Sequence, residues 1–138
     1  MAAAETLALI ARYYEAFNRG DGEGMLACVG DDIVHDVNQG SRREGKEAFR
    51  AFNANMARCY KEALEGIVIM ANADGTRAAA EFNVVGTYLV AEEGLPPAHG
   101  QPYRLPGGTF FVVRDGLIRR VTTYYNLTDW LTQVVVDE

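Results

Sequence analysis

Ile33-Val34-His35-Asp36-Val37-Asn38-Gln39-Gly40-Ser41-Arg42-Arg43-Glu44-Gly45-Lys46 is the stretch on which the reading of the fold turns. Branched apolar residues 33–37 predict a strand running into His35-Asp36. A polar, glycine-containing turn covers 38–45, and a helix starts at 46. A carboxylate at the end of a strand, with apolar segments before and after it, suits proton transfer. The neighbouring segments then read as walls around it.

On the N-terminal side, residues 5–18 predict an amphipathic helix. Leu7, Ile10, Tyr14 and Phe17 form its core stripe, with Tyr13 about 100° away on the flank of Leu9 and Ala16. Asn18-Arg19-Gly20-Asp21 stops this helix. A short second helix over about 22–29 carries Met25, Leu26 and Val29, and Gly30-Asp31-Asp32 turns into the strand.

On the C-terminal side, Phe49, Phe52, Met56 and Cys59/Tyr60 recur at three- and four-residue spacing, so a third helix is expected over about 46–62. From residue 64 the period changes to two. Leu64–Ala71 and Arg77–Val90 predict strands joined by the turn Asn72-Ala73-Asp74-Gly75. Gly86 in mid-strand suggests a bend or bulge. The Pro- and Gly-rich segment Glu92–Pro102 reads as a loop that could cover a cavity. Tyr103–Arg114 predicts a strand in which Pro106-Gly107-Gly108 marks a bulge or a sheet edge. Arg114-Asp115-Gly116 is a hairpin turn into Leu117–Tyr125, whose alternation puts Val121, Thr123 and Tyr125 inward and Arg120, Thr122 and Tyr124 outward. Asn126 then caps a short last helix with Trp130, Leu131 and Val134. Helices followed by a run of strands indicate an α+β fold. The expected architecture is one domain over 1–138: a cone-shaped, curved antiparallel sheet wrapped around the N-terminal helices and enclosing a pocket.

The bulk properties exclude several classes. At 138 residues the chain can bury roughly 70% of its unfolded surface and needs no cross-links. A net charge of −6 gives no basic footprint for nucleic acid and disfavours anionic membranes. Cys28 and Cys59 lie in separate predicted helices without CxxC spacing, so neither a metal site nor a disulfide is expected. The sequence holds no glycine-rich phosphate loop and no Gly-x-Ser-x-Gly elbow. No metal, nucleotide or redox cofactor is expected. The N-terminus lacks the basic and apolar regions of a signal peptide, and no apolar run reaches the ~20 residues of a membrane span; a cytoplasmic location is the expectation.

Three passages carry a resemblance. They are Arg12-Tyr13-Tyr14 with Asn18-Arg19-Gly20-Asp21; Val34-His35-Asp36-Val37-Asn38-Gln39-Gly40-Ser41 followed by Gly45; and Asp115-Gly116-Leu117-Ile118 leading to Tyr124-Tyr125-Asn126. Their order and spacing resemble the nuclear-transport-factor-2-like (NTF2-like) superfamily, in its ketosteroid-isomerase and SnoaL-like polyketide-cyclase branch. The resemblance implies that fold, an α+β barrel around a pocket, and a homodimer through the outer sheet face. It implies Asp36 as the general base beside a carbonyl and Tyr13 as the oxyanion donor. Val121 and Tyr125 match apolar pocket positions. The family's second oxyanion donor, a protonated aspartic acid, falls at Gly108 or Thr109; a backbone N–H there or the Thr109 hydroxyl could substitute.

Asn38, two residues beyond Asp36, is a candidate to orient substrate. Phe17, Phe52, Tyr88, Phe110, Thr123 and Trp130 are candidate walls alongside Val121 and Tyr125. His35 alternates with Asp36 and is expected on the opposite strand face, as a packed or interface histidine. The expected ligand is a small, mainly apolar carbonyl compound, and the expected reaction is isomerisation or cyclisation by proton transfer. A ligand-binding module without catalysis and a protein-interaction adaptor are the alternatives within the same fold.

Overall fold

The computed structural model describes residues 2–38 and 40–135; Gln39 of the predicted polar turn lies outside them. Helices α1 (Ala3–Asn18) and α2 (Gly22–Leu26) precede β1 (Val29–Val37) and the two-residue β2 (Arg43–Glu44). Helix α3 (Lys46–Cys59) is followed by β3 (Tyr60–Ala71), β4 (Arg77–Tyr88), β5 (Gln101–Arg114) and β6 (Leu117–Tyr125), and α4 (Leu127–Val134) ends the fold. The strands form one curved, six-stranded sheet in the order β2-β1-β6-β5-β4-β3. The sheet is not closed, so the expected barrel is a half-wrapped cone. It is also mixed. β3 to β6 form the expected antiparallel meander, whereas β1 runs parallel to β6, with His35 opposite Val121 and Asp36 opposite Thr122.

Each departure from the sequence reading has a local cause. Helix α3 ends at Cys59, not near 62, because Tyr60 to Leu64 already alternate between core and solvent and pair with β4. Strand β1 starts at Val29 because Val29 and Ile33 both sit in the core. No irregularity occurs at Gly86; the break in the β3–β4 register lies between Glu65 and Val68, where Gly66 has φ of 64°. Pro106 sits within an uninterrupted β5 and satisfies the edge alternative. Arg104 directs its N–H and C=O to the Gln133 side chain on α4, away from β4. Pro106, two residues on, faces the same way, beyond the last β5–β6 pair at Gly107 and Tyr125, so no ladder bond is lost.

The core has two parts on the concave face. The larger contains Leu9, Ile10, Tyr13 and Tyr14 of α1, Phe49 of α3, and Phe82, Phe111 and Val121 of the sheet. The smaller groups Tyr60, Tyr88, Tyr103, Leu105, Trp130 and Val134. Val84 packs against both. Helix α1 is tied to the sheet at each end. The Thr6 hydroxyl donates to the Gly75 carbonyl at 2.6 Å, and the Asn18 amide bonds both the N–H and the C=O of Leu64, at 2.8 and 3.0 Å. Among the described residues no helix is long and apolar enough to cross a membrane.

Candidate functional site

Strand parity decides which side chains reach the concave face. In β1, Ile33 is fully buried and His35 is 5% exposed. The His35 ring lies 5.1 Å from that of Phe49 and 4.6 Å from that of Phe52. Asp36 therefore projects from the outer, convex face. Arg42 grips it bidentately at 2.8 and 3.0 Å, and the Thr122 hydroxyl donates to it at 2.9 Å. These bonds, first the one from Arg42, hold its carboxyl below the usual carboxylate range. It lines an open depression of about 280 Å³ with Phe110, Arg120, Thr122 and Tyr124.

Tyr13 lies on the opposite side of the sheet, packed against Tyr14, Phe49 and Phe111. The structure does not bring Asp36 and Tyr13 together. This corrects the expected pairing of base and donor: a regular β1 with Ile33 inward places His35, not Asp36, inside. Phe110 is corrected with it, being 49% exposed on the outer face beside Tyr124. Asn38 is a turn residue with φ of 49°, and its side-chain oxygen accepts from the Tyr125 N–H at 2.8 Å, so it fastens β1 to β6.

The remaining candidates do gather on the concave face. Phe17 packs on the larger core cluster and Tyr125 on the smaller, both partly exposed. Thr123 is also partly exposed, its hydroxyl 3.3 Å from that of Thr109. Phe52 is half-buried under the Arg43 guanidinium. Val121, Tyr88 and Trp130 are fully or nearly fully buried in the core. Phe17, Phe52, Thr123 and Tyr125 are thus the candidates on this face that keep some exposure.

Several partly or fully buried polar groups escaped the sequence reading. Glu62 on β3 is partly buried, and Tyr103 donates to its Oε2 at 2.5 Å. No ion pair reaches Glu62 among the described residues. Burial pushes its carboxyl above the usual range, and the Tyr103 hydroxyl pulls it partway back. The Tyr14 hydroxyl and the Asn53 amide nitrogen are buried without a hydrogen-bond partner. The Tyr14 hydroxyl faces Thr109 without closing a bond to it, and burial raises its pKa so that it stays protonated. At the same end Tyr60 donates to Glu92 of the 89–100 loop at 3.2 Å. Tyr88 donates to the Pro96 carbonyl and accepts from the Glu92 N–H, which folds that loop down over the smaller cluster. Glu62 was hidden because a helix drawn to residue 62 made it a solvated C-terminal side chain. The alternation Tyr60, Glu62, Leu64 was the signal for it.

A partly buried carboxyl without a cation and a buried phenol donor are each groups suited to acid–base chemistry. Known proteins share this architecture. The chain belongs to the SnoaL-like domain family, whose model matches residues 10–121. It is 55% identical to a presumed polyketide cyclase from Pseudomonas putida KT2440, over 94% of this chain and 98% of that one, with a TM-score of 0.93. It is 57% identical to another from Silicibacter sp. TM1040, over 99% of both, with a TM-score of 0.94. An NTF2-like protein of Burkholderia xenovorans LB400, 15% identical over 98% of this chain and 99% of that one, shares the fold at a TM-score of 0.76. No curated protein matches the chain significantly.

Proposed function

We propose that the protein catalyses proton transfer on a small, mainly apolar carbonyl compound, with isomerisation or ring closure as the outcome. Glu62 takes the place expected for Asp36, and Tyr14 that expected for Tyr13. In this reading the Glu62 carboxylate removes a proton from the carbon beside a carbonyl. The electron pair of that C–H bond forms the C=C bond of the enolate while the carbonyl π pair moves onto the oxygen, where the Tyr14 hydroxyl stabilises it. The protonated Glu62 then returns the proton. In an isomerisation the proton goes to a second carbon of the same conjugated system. In a cyclisation the enolate carbon attacks another carbonyl of the same molecule, and the proton goes to the new alkoxide. Either path balances without a further reactant.

The observation that carries this reading is Glu62 itself: a carboxyl on the concave face, with a raised pKa and no cation beside it. A base is most effective when its pKa approaches the working pH. The kinship with presumed polyketide cyclases at above half identity supports ring closure as the natural reaction.

The test is solvent deuterium exchange into a panel of enolisable mono- and polyketones, followed by mass spectrometry. Glu62→Gln is expected to lower exchange at least 100-fold while ligand binding is kept, and Asp36→Asn to leave exchange within about twofold of wild type. Full activity in Glu62→Gln, or loss in Asp36→Asn with the fold intact, would refute the assignment. Binding without exchange by the wild-type protein would make it a ligand-binding module.

A further inference from the structure

Glu62, Gly86 and Tyr103 occupy one line across three strands: Glu62 pairs with Gly86 on β4, and Gly86 pairs with Tyr103 on β5. The middle position has no side chain, and the space is taken. A Cβ placed on Gly86 would lie 2.4 Å from the Tyr103 ring and 2.5 Å from its hydroxyl oxygen. The Tyr103 ring therefore lies flat across β4, and its hydroxyl reaches the carboxyl two strands away. Gly86 has no positive φ, so backbone conformation does not demand a glycine here; the crossing ring does.

We infer that Tyr103 is the positioning residue of the site and that Gly86 exists to let it through. By occupying Oε2, the Tyr103 hydroxyl fixes the carboxyl plane and leaves Oε1 as the oxygen free for proton transfer. The Tyr103 ring is itself held by Tyr60 at 6.4 Å and Trp130 at 5.9 Å, both edge-on. The inference rests on Glu62 as the acid–base group and adds what orients and tunes it.

The groups around the carboxyl make the direction of the effect definite. Burial raises the Glu62 pKa and the Tyr103 hydrogen bond lowers it, with no charged neighbour contributing. Tyr125 of β6 and Tyr60 of β3 are protonated phenols, and the Glu92 carboxylate from the 89–100 loop is held by Tyr60. Removing the Tyr103 hydroxyl leaves the burial and takes away the donor, so the pKa rises further.

Two variants reach the same bond from its two ends. Tyr103→Phe deletes the hydroxyl and keeps the ring. Gly86→Ala keeps the hydroxyl and displaces the ring. In each, the Glu62 titration, followed by carboxyl carbon NMR on protein labelled at Glu, is expected to shift upward by about one pH unit. The acidic limb of the exchange rate against pH should move up with it, with kcat lowered more than KM. An unchanged Glu62 titration in Tyr103→Phe would overturn the inference. So would a Gly86→Ala protein that folds and titrates like wild type. Should Gly86→Ala fail to fold, Tyr103→Phe decides alone. The titration needs no substrate, so it stands or falls separately from the proposed reaction. A shifted titration in a protein that exchanges no ketone would retain the positioning and reject the reaction.

Discussion

A neutral imidazole sits between two phenyl rings in the core. Burial, helped by Arg43 and opposed by Asp36, lowers the His35 pKa to about 4, against roughly 6.5 in an unfolded chain. The unfolded state therefore binds a proton first as pH falls. The stability associated with His35 is intact above pH 6.5 and is lost progressively down to pH 4, by about 3 kcal/mol in all. In His35→Leu this loss should vanish, so the variant gains about that much on wild type between pH 7 and pH 4. Urea midpoints at a series of pH values measure it, and parallel pH curves for the two proteins would count against it. The same residue shows what was readable at this scale. Ile33, His35 and Val37 share one face of β1, and Val34 and Asp36 the other. Alternation alone places Ile33 and His35 inside. The resemblance to the isomerases placed Asp36 inside instead, and strand parity overrules it.

Elements were more legible than their ends. Helix α1, strands β3 to β6 and the capped α4 follow from periodicity and from turn residues such as Asp115-Gly116, both at positive φ in the β5–β6 hairpin. The parallel partner of β1 was not legible, because pairing between strands so distant in sequence leaves no local mark. Neither was the reason for Gly86, which depends on a ring from the neighbouring strand. The junction of α1 with β3 is another such contact. Asn18 replaces a missing strand neighbour for Leu64 by bonding both of its backbone polar groups. Asn18→Ala leaves these two groups without that partner and should cost about 1–3 kcal/mol. Chemical denaturation at neutral pH reads this directly; a loss below about 0.5 kcal/mol would mean that water replaces the amide without penalty.

For the whole molecule, the convex face of the sheet is the unsettled surface. Met70, Ala79 and Phe110 lie in one line across β3, β4 and β5, with Val68 and Tyr124 in the next line. Val68, Met70, Phe110 and Tyr124 are each more than 40% exposed. Such a patch on a curved sheet suits a second copy of the chain. We expect a dimer in analytical ultracentrifugation at micromolar concentration, and monomers after Phe110→Glu with Tyr124→Glu. A wild-type protein that sediments as a monomer would leave this face to another role.

The parallel pairing of β1 with β6 also bears on how the chain is made. Thr122 and Asp36, bonded across that pair, are 86 residues apart in sequence. A ribosome adding about 5–20 residues per second needs roughly 4–17 s to produce the strand that β1 requires. For that interval the nascent chain carries the strand Val29 to Val37, with Val29 and Ile33 for the core and one edge unsatisfied. Helices α1 to α3 can cover its inner face early, but the edge waits for the C-terminal third. Slowing translation downstream of β1 should therefore lengthen the window in which nascent chains cross-associate or recruit chaperones, with no change to any residue of the finished protein.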